Sequence, residues 1–324
     1  MLDTLRFVRG AVSDSTGSGI IPVLTHFCIY DGRIRGADSR VTIDAACPEL
    51  AGINTVVPAE PFLRGIDACN GEPTFRFTEG GKLVVERKPF RAQLPVRPVA
   101  DYPLEEPSKG RKFKLDGEAL LDKIARLRPF ISNDAERPWA STMYFGKDAA
   151  YAASNAMIAM IPSGIFSKAI QLPIFCVDEL LRIERPPAQW SDDDHSVTFT
   201  WENGDWLRAQ KITQEWPTAT AEGWFKMKER MVAVPEGLLK AVDRIRPFCH
   251  DPKRPIIYLT DGGISTAPGE MQAEVAGFKV GTGAFHADNL KTMLGAADKM
   301  AISEKAALFS GPQSFRGVMA LLKM

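Results

Sequence analysis

Cysteine and histidine are scarce in this chain, five and four among 324 residues. The cysteines stand far apart, at positions 28, 47, 69, 176 and 249, with no Cys-x-x-Cys pair. That spacing argues against a structural zinc site or a disulfide framework and fits a reducing compartment. The thiols are expected to pack as small apolar side chains. Long hydrophobic runs are missing too. No stretch approaches the roughly 18–20 uncharged apolar residues of a membrane span, so no membrane partner is expected. The N-terminal segment Met1–Arg9 carries arginines inside its apolar run and has no small-residue cleavage site. It does not read as a secretory signal, and a cytoplasmic location is expected. Neither sign of charge is in excess, with 40 Lys+Arg against 40 Asp+Glu. This excludes a protein that coats nucleic acid by bulk charge, but leaves room for a local basic patch.

Signals for catalysis are equally thin. Ser191-Asp-Asp-Asp-His195 is the one acidic cluster with a histidine, and it lies between a proline-rich helix end and a strand, where a solvated loop is expected. Gly17-Ser-Gly19 and Glu79-Gly-Gly-Lys82 lack the spacing and hydroxyl residue of a phosphate-binding loop. Gly281-Thr-Gly283 precedes a helix but has no following strand unit to make a dinucleotide site. His26, His250 and His286 have no evident cysteine or carboxylate partners. No nucleophile, base and orienting group assemble, so no enzyme activity, cofactor or metal is expected.

What the chain does have is a folded composition, 45% apolar and 25% charged, and an internal repeat. Three segments stack without gaps: Met1–Arg9, Leu120–Arg128 and Leu238–Arg246. Each ends in arginine, and the last two continue as Arg-Pro-Phe. Pro22, Pro138 and Pro255 then each precede a strand-like run, namely Val23–Tyr30, Trp139–Phe145 and Ile256–Thr260. These runs meet the turns Asp31-Gly32, Gly146-Lys147-Asp148 and Asp261-Gly262-Gly263, which suit tight hairpins. Second helices are expected at Pro58–Ala68, Phe175–Arg185 and Ala287–Ala297. Alternating runs follow, such as Thr74–Thr78, Lys82–Glu86, Ser196–Trp201 and Trp206–Ile212, and suit antiparallel strands. Stretches at Pro98–Lys112 and Trp216–Lys228 read as joints. The expected fold is α+β: three tandem domains, 1–106, 107–225 and 226–324, each with two helices packed on antiparallel sheet. Repeats two and three open with a strand, Lys112–Leu115 and Met231–Val234. The first repeat is expected to lack this opening strand, because Met1 already sits in the helix register.

The first helices bury a stripe at Leu120, Leu121, Ile124 and Leu127 and the equivalent positions. Their other faces carry Arg6, Arg126, Lys240 and Arg244, flanked by Lys123, with Arg9, Arg128 and Arg246 closing the last turns. The second helices add Arg64, Arg182 and Lys291. Any one of these could be ordinary solvated surface or a partner of the helix dipole. Their recurrence on all six helices marks them as a candidate phosphate-facing set. Interspersed acids (Asp3, Asp122, Asp178, Glu179, Asp243, Asp288) would keep the grip loose.

With these features the whole chain resembles the bacterial-type DNA sliding clamp, the beta subunit of the replicative DNA polymerase (DNA polymerase III). The resemblance rests on Ile20-Ile-Pro-Val-Leu24, Gly36-Ala-Asp-Ser-Arg-Val-Thr-Ile43 and Phe90-Arg-Ala-Gln-Leu-Pro95 leading to Asp101-Tyr-Pro103. It continues through Ser132-Asn-Asp-Ala-Glu-Arg-Pro138, Ala152-Ala-Ser-Asn-Ala-Met-Ile-Ala159, Phe285-His-Ala-Asp-Asn-Leu290 and Val318-Met-Ala-Leu-Leu-Lys-Met324.

The resemblance implies a head-to-tail homodimer whose six clamp-fold domains form a ring around double-stranded DNA. Such a ring is set in place by a clamp loader and confers processivity on the replicative DNA polymerase. The cations above would line the hole, and neutrality would suit a ring that must slide. The resemblance also implies a partner-peptide cleft at Ala153, Asn155, Ala156, Met157, Ile158, Val318, Met319, Leu321, Leu322 and Met324, and a dimer interface with Phe248 and Cys249 facing Tyr102. The three segments carry net charges of −2, −2 and +4, complementary between the third and the first. Ser154-Asn-Ala-Met-Ile158 lacks the charged and histidine members of the family's Thr-Asp-Gly-His-Arg-Leu type string, and a terminal Met-Pro-Met is absent. Partner peptides of a phage- or plasmid-type replisome are therefore expected. The competing expectation is a clamp-fold protein-binding scaffold that no longer encircles DNA.

Overall fold

The computed structural model describes residues 1–13, 21–132, 136–260, 262–267, 270–276 and 278–322. Among them are seven α-helices: α1 (Leu2–Arg9), α2 (Ala59–Ala68), α3 (Gly117–Leu127), α4 (Ile174–Ile183), α5 (Thr218–Phe225), α6 (Leu238–Ile245) and α7 (Ala287–Ala296). Six stand where the repeat places them; α5 falls in the stretch read as a joint. The chain divides into two compact units, Met1–Leu121 with Phe175–Lys211, and Asp122–Ile174 with Ile212–Met324.

The first unit is built on an eight-stranded antiparallel sheet. Four strands, Thr55–Pro58, His26–Tyr30, Arg33–Ala37 and Val41–Ala46, join four more, Trp206–Gln210, Ser196–Thr200, Gln189–Asp192 and Phe113–Lys114. The join is the pairing of Val41–Ala46 with Trp206–Gln210, with Asp44 opposite Trp206. A separate three-stranded sheet holds Thr74–Phe77, Leu83–Arg87 and Phe90–Leu94. Its short two-residue counterpart strands elsewhere are Phe113–Lys114, on Gln189–Asp192, and Val232–Ala233, on Lys299–Ile302. Among the described residues no such strand covers Thr74–Phe77.

The second unit repeats the scheme. Ile170–Pro173, Thr142–Phe145, Ala149–Ala153 and Met157–Pro162 join Phe315–Ala320, Ala306–Gly311, Lys299–Ile302 and Val232–Ala233 in one eight-stranded sheet. Here the join pairs Met157–Pro162 with Phe315–Ala320. A four-stranded sheet remains, ordered Gln272–Glu274, Gly263–Ser265, Ile256–Thr260, Gly283–His286.

Local chemistry accounts for these elements. In α1 the buried side chains are Leu5, Phe7 and Val8, and in α6 Leu238, Ala241, Val242 and Ile245, each a stripe of helical period. Asp116 caps α3 by accepting the Ala119 amide at 3.0 Å. Proline at the second position turns the ends of α3 and α6 into 3-10 turns, Arg128–Phe130 and Arg246–Phe248. The Asp31-Gly32 hairpin has φ of +48° and +69°, the pair of positive values that a tight hairpin requires. Met157–Pro162 alternates between buried and less buried positions, as a strand with two unlike faces should. All five cysteines are free and buried; burial pushes the Cys28 and Cys47 thiols up to about 12.

Three expectations are corrected. The runs from Val23 and Trp139 do not begin as strands: Pro22–Thr25 and Pro138–Ser141 are 3-10 turns. A proline offers no amide to a ladder, and Thr25 and Thr142 donate their hydroxyls back to Pro22 O and Trp139 O at 2.8 and 2.6 Å. The stretch 216–228 is no plain joint but carries α5, because Ala221 and Phe225 bury against Tyr151, Ala153, Trp216 and Val318. The stretch 98–112 is pinned to the first sheet. Ser108 hydrogen-bonds Ser196 and Thr198 at 2.8 and 2.9 Å, and the Glu105 carboxylate accepts from Thr42 at 3.0 Å and from Arg208.

Candidate functional site

The helix cations divide into engaged and available groups. In the first unit Arg182 donates from its two Nη groups to the Arg6 and Phe7 carbonyls at 3.0 and 2.7 Å, and pairs with Glu179 at 2.7 Å. It thus satisfies orphan carbonyls at the end of α1. Gly10 permits this approach: a Cβ there would lie 2.3 Å from Arg182 Nε. Arg9 donates to Val12 O at 3.0 Å and sits 3.7 Å from Glu60. Arg64 is exposed on α2 and donates to Glu60 at 2.8 Å. Arg6 is exposed, with Asp3 and Asp67 no nearer than 3.8 Å.

In the second unit Arg126 donates to Gln313 Oε1 and to Pro312 O, the latter at 3.2 Å. Arg246 is paired with Asp288, Nη2 to Oδ2 at 3.0 Å, and that guanidinium holds the Asp288 carboxyl below its usual range. Lys291 pairs with Asp243 at 2.7 Å. Arg128 lies in the 3-10 turn after α3 and is partly buried. Lys123, Lys240 and Arg244 have no hydrogen-bond or ion-pair partner among the described residues. Lys240 and Arg244 are one turn apart on α6, and both are exposed. The expectation of a uniformly outward set is therefore narrowed. Arg126, Arg182, Arg246 and Lys291 hold structure together, and Arg6, Arg64, Lys123, Lys240 and Arg244 remain the best placed for an incoming phosphate.

A cleft of about 350 Å³ opens beside the join in the second unit. Of the residues proposed from sequence it is lined by Asn155, Ala156, Met157, Ile158 and Val318. Ala153 lies beneath it, fully buried in the aromatic cluster. Met319 is opposite Met157 and 1% exposed, on the face where Gly317 abuts Met293 of α7. Leu321 and Leu322 instead dock on the strand Gly283–His286: Leu322 donates its amide to Ala284 O at 3.0 Å, and Leu321 packs beside Gly283. Met324 falls outside the described residues. Met319 does not line the cleft because neighbouring strand residues point to opposite faces, and Val318 is the one turned to it.

The far wall was not anticipated. It consists of Trp139, Trp216, Pro217, Thr220, Ala221 and Trp224. Trp216 stacks on Tyr144 at 5.5 Å and meets Trp139 edge-on at 5.7 Å. Among the described residues Arg137 is the only charged one lining it. Two tryptophans eight residues apart inside an otherwise polar, charged stretch were the available signal.

Of the interface residues, Phe248 is 57% exposed. Cys249 is buried, with its Sγ 3.3 Å from Ile256 O. Tyr102 is 4% exposed and packs with Val23, Leu24, Cys28, Ala37 and Val56. Its burial pushes the phenol pKa up. In the Ser191–His195 segment, burial opposes the Asp193 charge. Hydrogen bonds from the His195 amide and from Ser196 outweigh it and hold the carboxyl below its usual range. Lys211 pairs with Asp192 at 2.6 Å, so the segment is the end of the strand Gln189–Asp192 and the tied turn that follows it. Among the described residues no group of three or more His, Cys, Asp or Glu is placed to hold a metal ion, and no helix is long and apolar enough to cross a membrane.

The fold these units build is that of the bacterial sliding clamps. The DnaN sliding clamp (DNA polymerase III subunit beta) of Pseudomonas aeruginosa, solved bound to griselimycin, matches with a TM-score of 0.80 and 20% identity, covering 100% of this chain and 97% of that one. The sliding clamp of Bacillus subtilis matches with a TM-score of 0.81 and 14% identity over the same shares. The Helicobacter pylori beta clamp, solved bound to a DNA ligase peptide, matches with 0.75 and 12%, again over 100% and 97%. No protein-family model and no curated protein matches the sequence.

Proposed function

We propose that this chain is a DNA sliding clamp: a non-catalytic, cytoplasmic processivity factor that closes as a head-to-tail homodimer around double-stranded DNA. It would be placed there by a clamp loader and would tether the replicative DNA polymerase. Its three domains are 1–106, 107–225 and 226–324. The observation that carries this reading is a rule of sheet joining and its two leftovers. Twice within the chain, the last strand of a hairpin sheet (Val41–Ala46, Met157–Pro162) pairs with the last strand of a following sheet (Trp206–Gln210, Phe315–Ala320). The corresponding strands Gln272–Glu274 and Phe90–Leu94 are edges without partners among the described residues. Two chains joined by the same rule, third domain to first, leave neither edge open. Phe248 and Cys249 belong to the third-domain side of that junction.

The DNA-facing set is Arg6, Arg9, Arg64, Lys123, Arg126, Arg128, Arg182, Lys240, Arg244, Arg246 and Lys291. Arg6, Arg64, Lys123, Lys240 and Arg244 are the readiest to contact phosphate. The tryptophan-walled cleft, with Asn155, Ala156, Met157, Ile158 and Val318, is the site for partner peptides; its apolar lining and small volume suit one or two large side chains.

Loading on nicked circular DNA tests encirclement. Protein loaded on circles should survive a high-salt wash and be lost once the circle is linearised; equal loss from both would leave the scaffold reading instead. Lys240→Ala with Arg244→Ala should lower clamp-dependent synthesis, with the dimer intact. It should also reduce the salt slope of DNA binding by about 0.9 for each phosphate contact removed. Unchanged synthesis and slope would take α6 out of the DNA-facing set.

A further inference from the structure

Two consecutive non-glycine residues in the second unit, Gln313 and Ser314, have φ of +51° and +60°. L side chains seldom adopt this left-handed region, and such strain persists only where the surroundings hold it. Here Arg126 of α3 does the holding, donating from Nη1 to Gln313 Oε1 and from Nη2 to Pro312 O. Just past the turn, the Phe315 ring packs on Phe130 at 5.5 Å. Phe315 also opens the strand whose Val318 and Ala320 line the cleft. The next residue, Arg316, donates to Phe225 O at the end of α5 and lies 5.2 Å from the Phe225 ring. Both walls of the cleft therefore hang on the strand that this turn delivers.

We propose that Arg126 is a positioning residue that latches the Pro312–Ser314 turn, and that a phosphate taking its guanidinium releases the turn and loosens the cleft. Polyanion contact on α3 and occupancy of the cleft are thereby coupled. The inference rests on the clamp reading for its natural polyanion, duplex DNA. The acceptors now on Arg126 are neutral oxygens, and charge-assisted bonds are roughly twice as strong as neutral ones. A phosphate gripping the fork through both Nη groups uses the donors that Gln313 and Pro312 hold. The side chain is 25% exposed, so it can be reached, and Asp122 stands 3.8 Å away. Coupling is reciprocal: an occupied cleft weakens phosphate binding by the same factor.

Amide hydrogen exchange of the Phe315–Ala320 strand in the full-length chain provides the test. Arg126→Ala should speed exchange there by about fivefold or more. Arg126→Lys, which keeps the charge but loses the fork, should do the same. Adding Gln313→Gly to Arg126→Ala should restore protection, since glycine adopts positive φ without a clamp. Inorganic tripolyphosphate should speed exchange in the wild type and have no effect in Arg126→Ala. Unchanged protection in both Arg126 variants overturns the latch, and wild-type protection indifferent to tripolyphosphate overturns the coupling. A tripolyphosphate response without a duplex DNA response leaves the latch standing and counts against the DNA reading alone.

Discussion

Asp44→Ala is expected to destabilise the chain by about 3–5 kcal/mol, the usual cost of leaving a buried charge without its partner. Asp44 is fully buried, and Arg35 beside it is 2% exposed. The carboxylate accepts from Arg35 Nε at 2.9 Å, from Arg33 Nε at 2.5 Å and from the Tyr30 hydroxyl at 2.6 Å. Arg35 in turn donates to Glu105 O at 2.6 Å and lies 5.0 Å from the Trp206 ring. The network sits where the two halves of the first eight-stranded sheet meet, since Asp44 and Trp206 are opposite one another. Removing the carboxylate leaves the buried Arg35 guanidinium without its counter-charge and loosens both the join and the 98–112 segment. Asp44→Asn, which keeps the shape and one acceptor, should lose less. Urea unfolding of the full chain measures both variants. A loss below about 1 kcal/mol for the alanine, within the range of ordinary substitutions, would mean that the network does not hold the join.

Glu274→Pro is expected to convert the proposed dimer to monomer while leaving the fold intact. In the hairpin formed with Gly263–Ser265, Thr266 N donates to Met271 O at 3.1 Å and Val275 N to Gly262 O at 3.0 Å. Antiparallel pairing alternates, so the amides of Gln272 and Glu274 point off the open edge. Proline at Glu274 removes a donor from that edge and none from the ladder behind it, the placement in which strand proline is tolerated. Sedimentation should give the monomer mass, with stability within about 0.5 kcal/mol of the parent. A dimer that persists would mean that the chains close by another surface.

The sequence was legible wherever the signal was local. Helical stripes such as Leu238, Val242 and Ile245, and turn pairs such as Asp31-Gly32, report an element and its buried face within a few residues. A threefold recurrence then gives their order. Residues 216–228 were misread because α5 has little periodic contrast of its own. It is a helix because Trp216, Ala221 and Phe225 find Tyr151 and Val318 to bury against, and that partner is far away in the chain. The cleft was half legible for the same reason. Asn155–Ile158 and Val318 stand in strands whose pairing follows from the repeat, whereas the tryptophan wall depends on α5.

Composition and pattern alone determined that the chain is a neutral α+β protein of three repeats with a cation on each of six helices. Only the tertiary structure decided what those cations do. Arg182 closes α1 from 176 residues away, and Arg126 holds a turn 187 residues away, while Lys240 and Arg244 on α6 meet no partner among the described residues. A side chain's character and its face on a helix are set by neighbours three or four residues off. Whether its charge is spent or available is set by what long-range folding brings within hydrogen-bond reach.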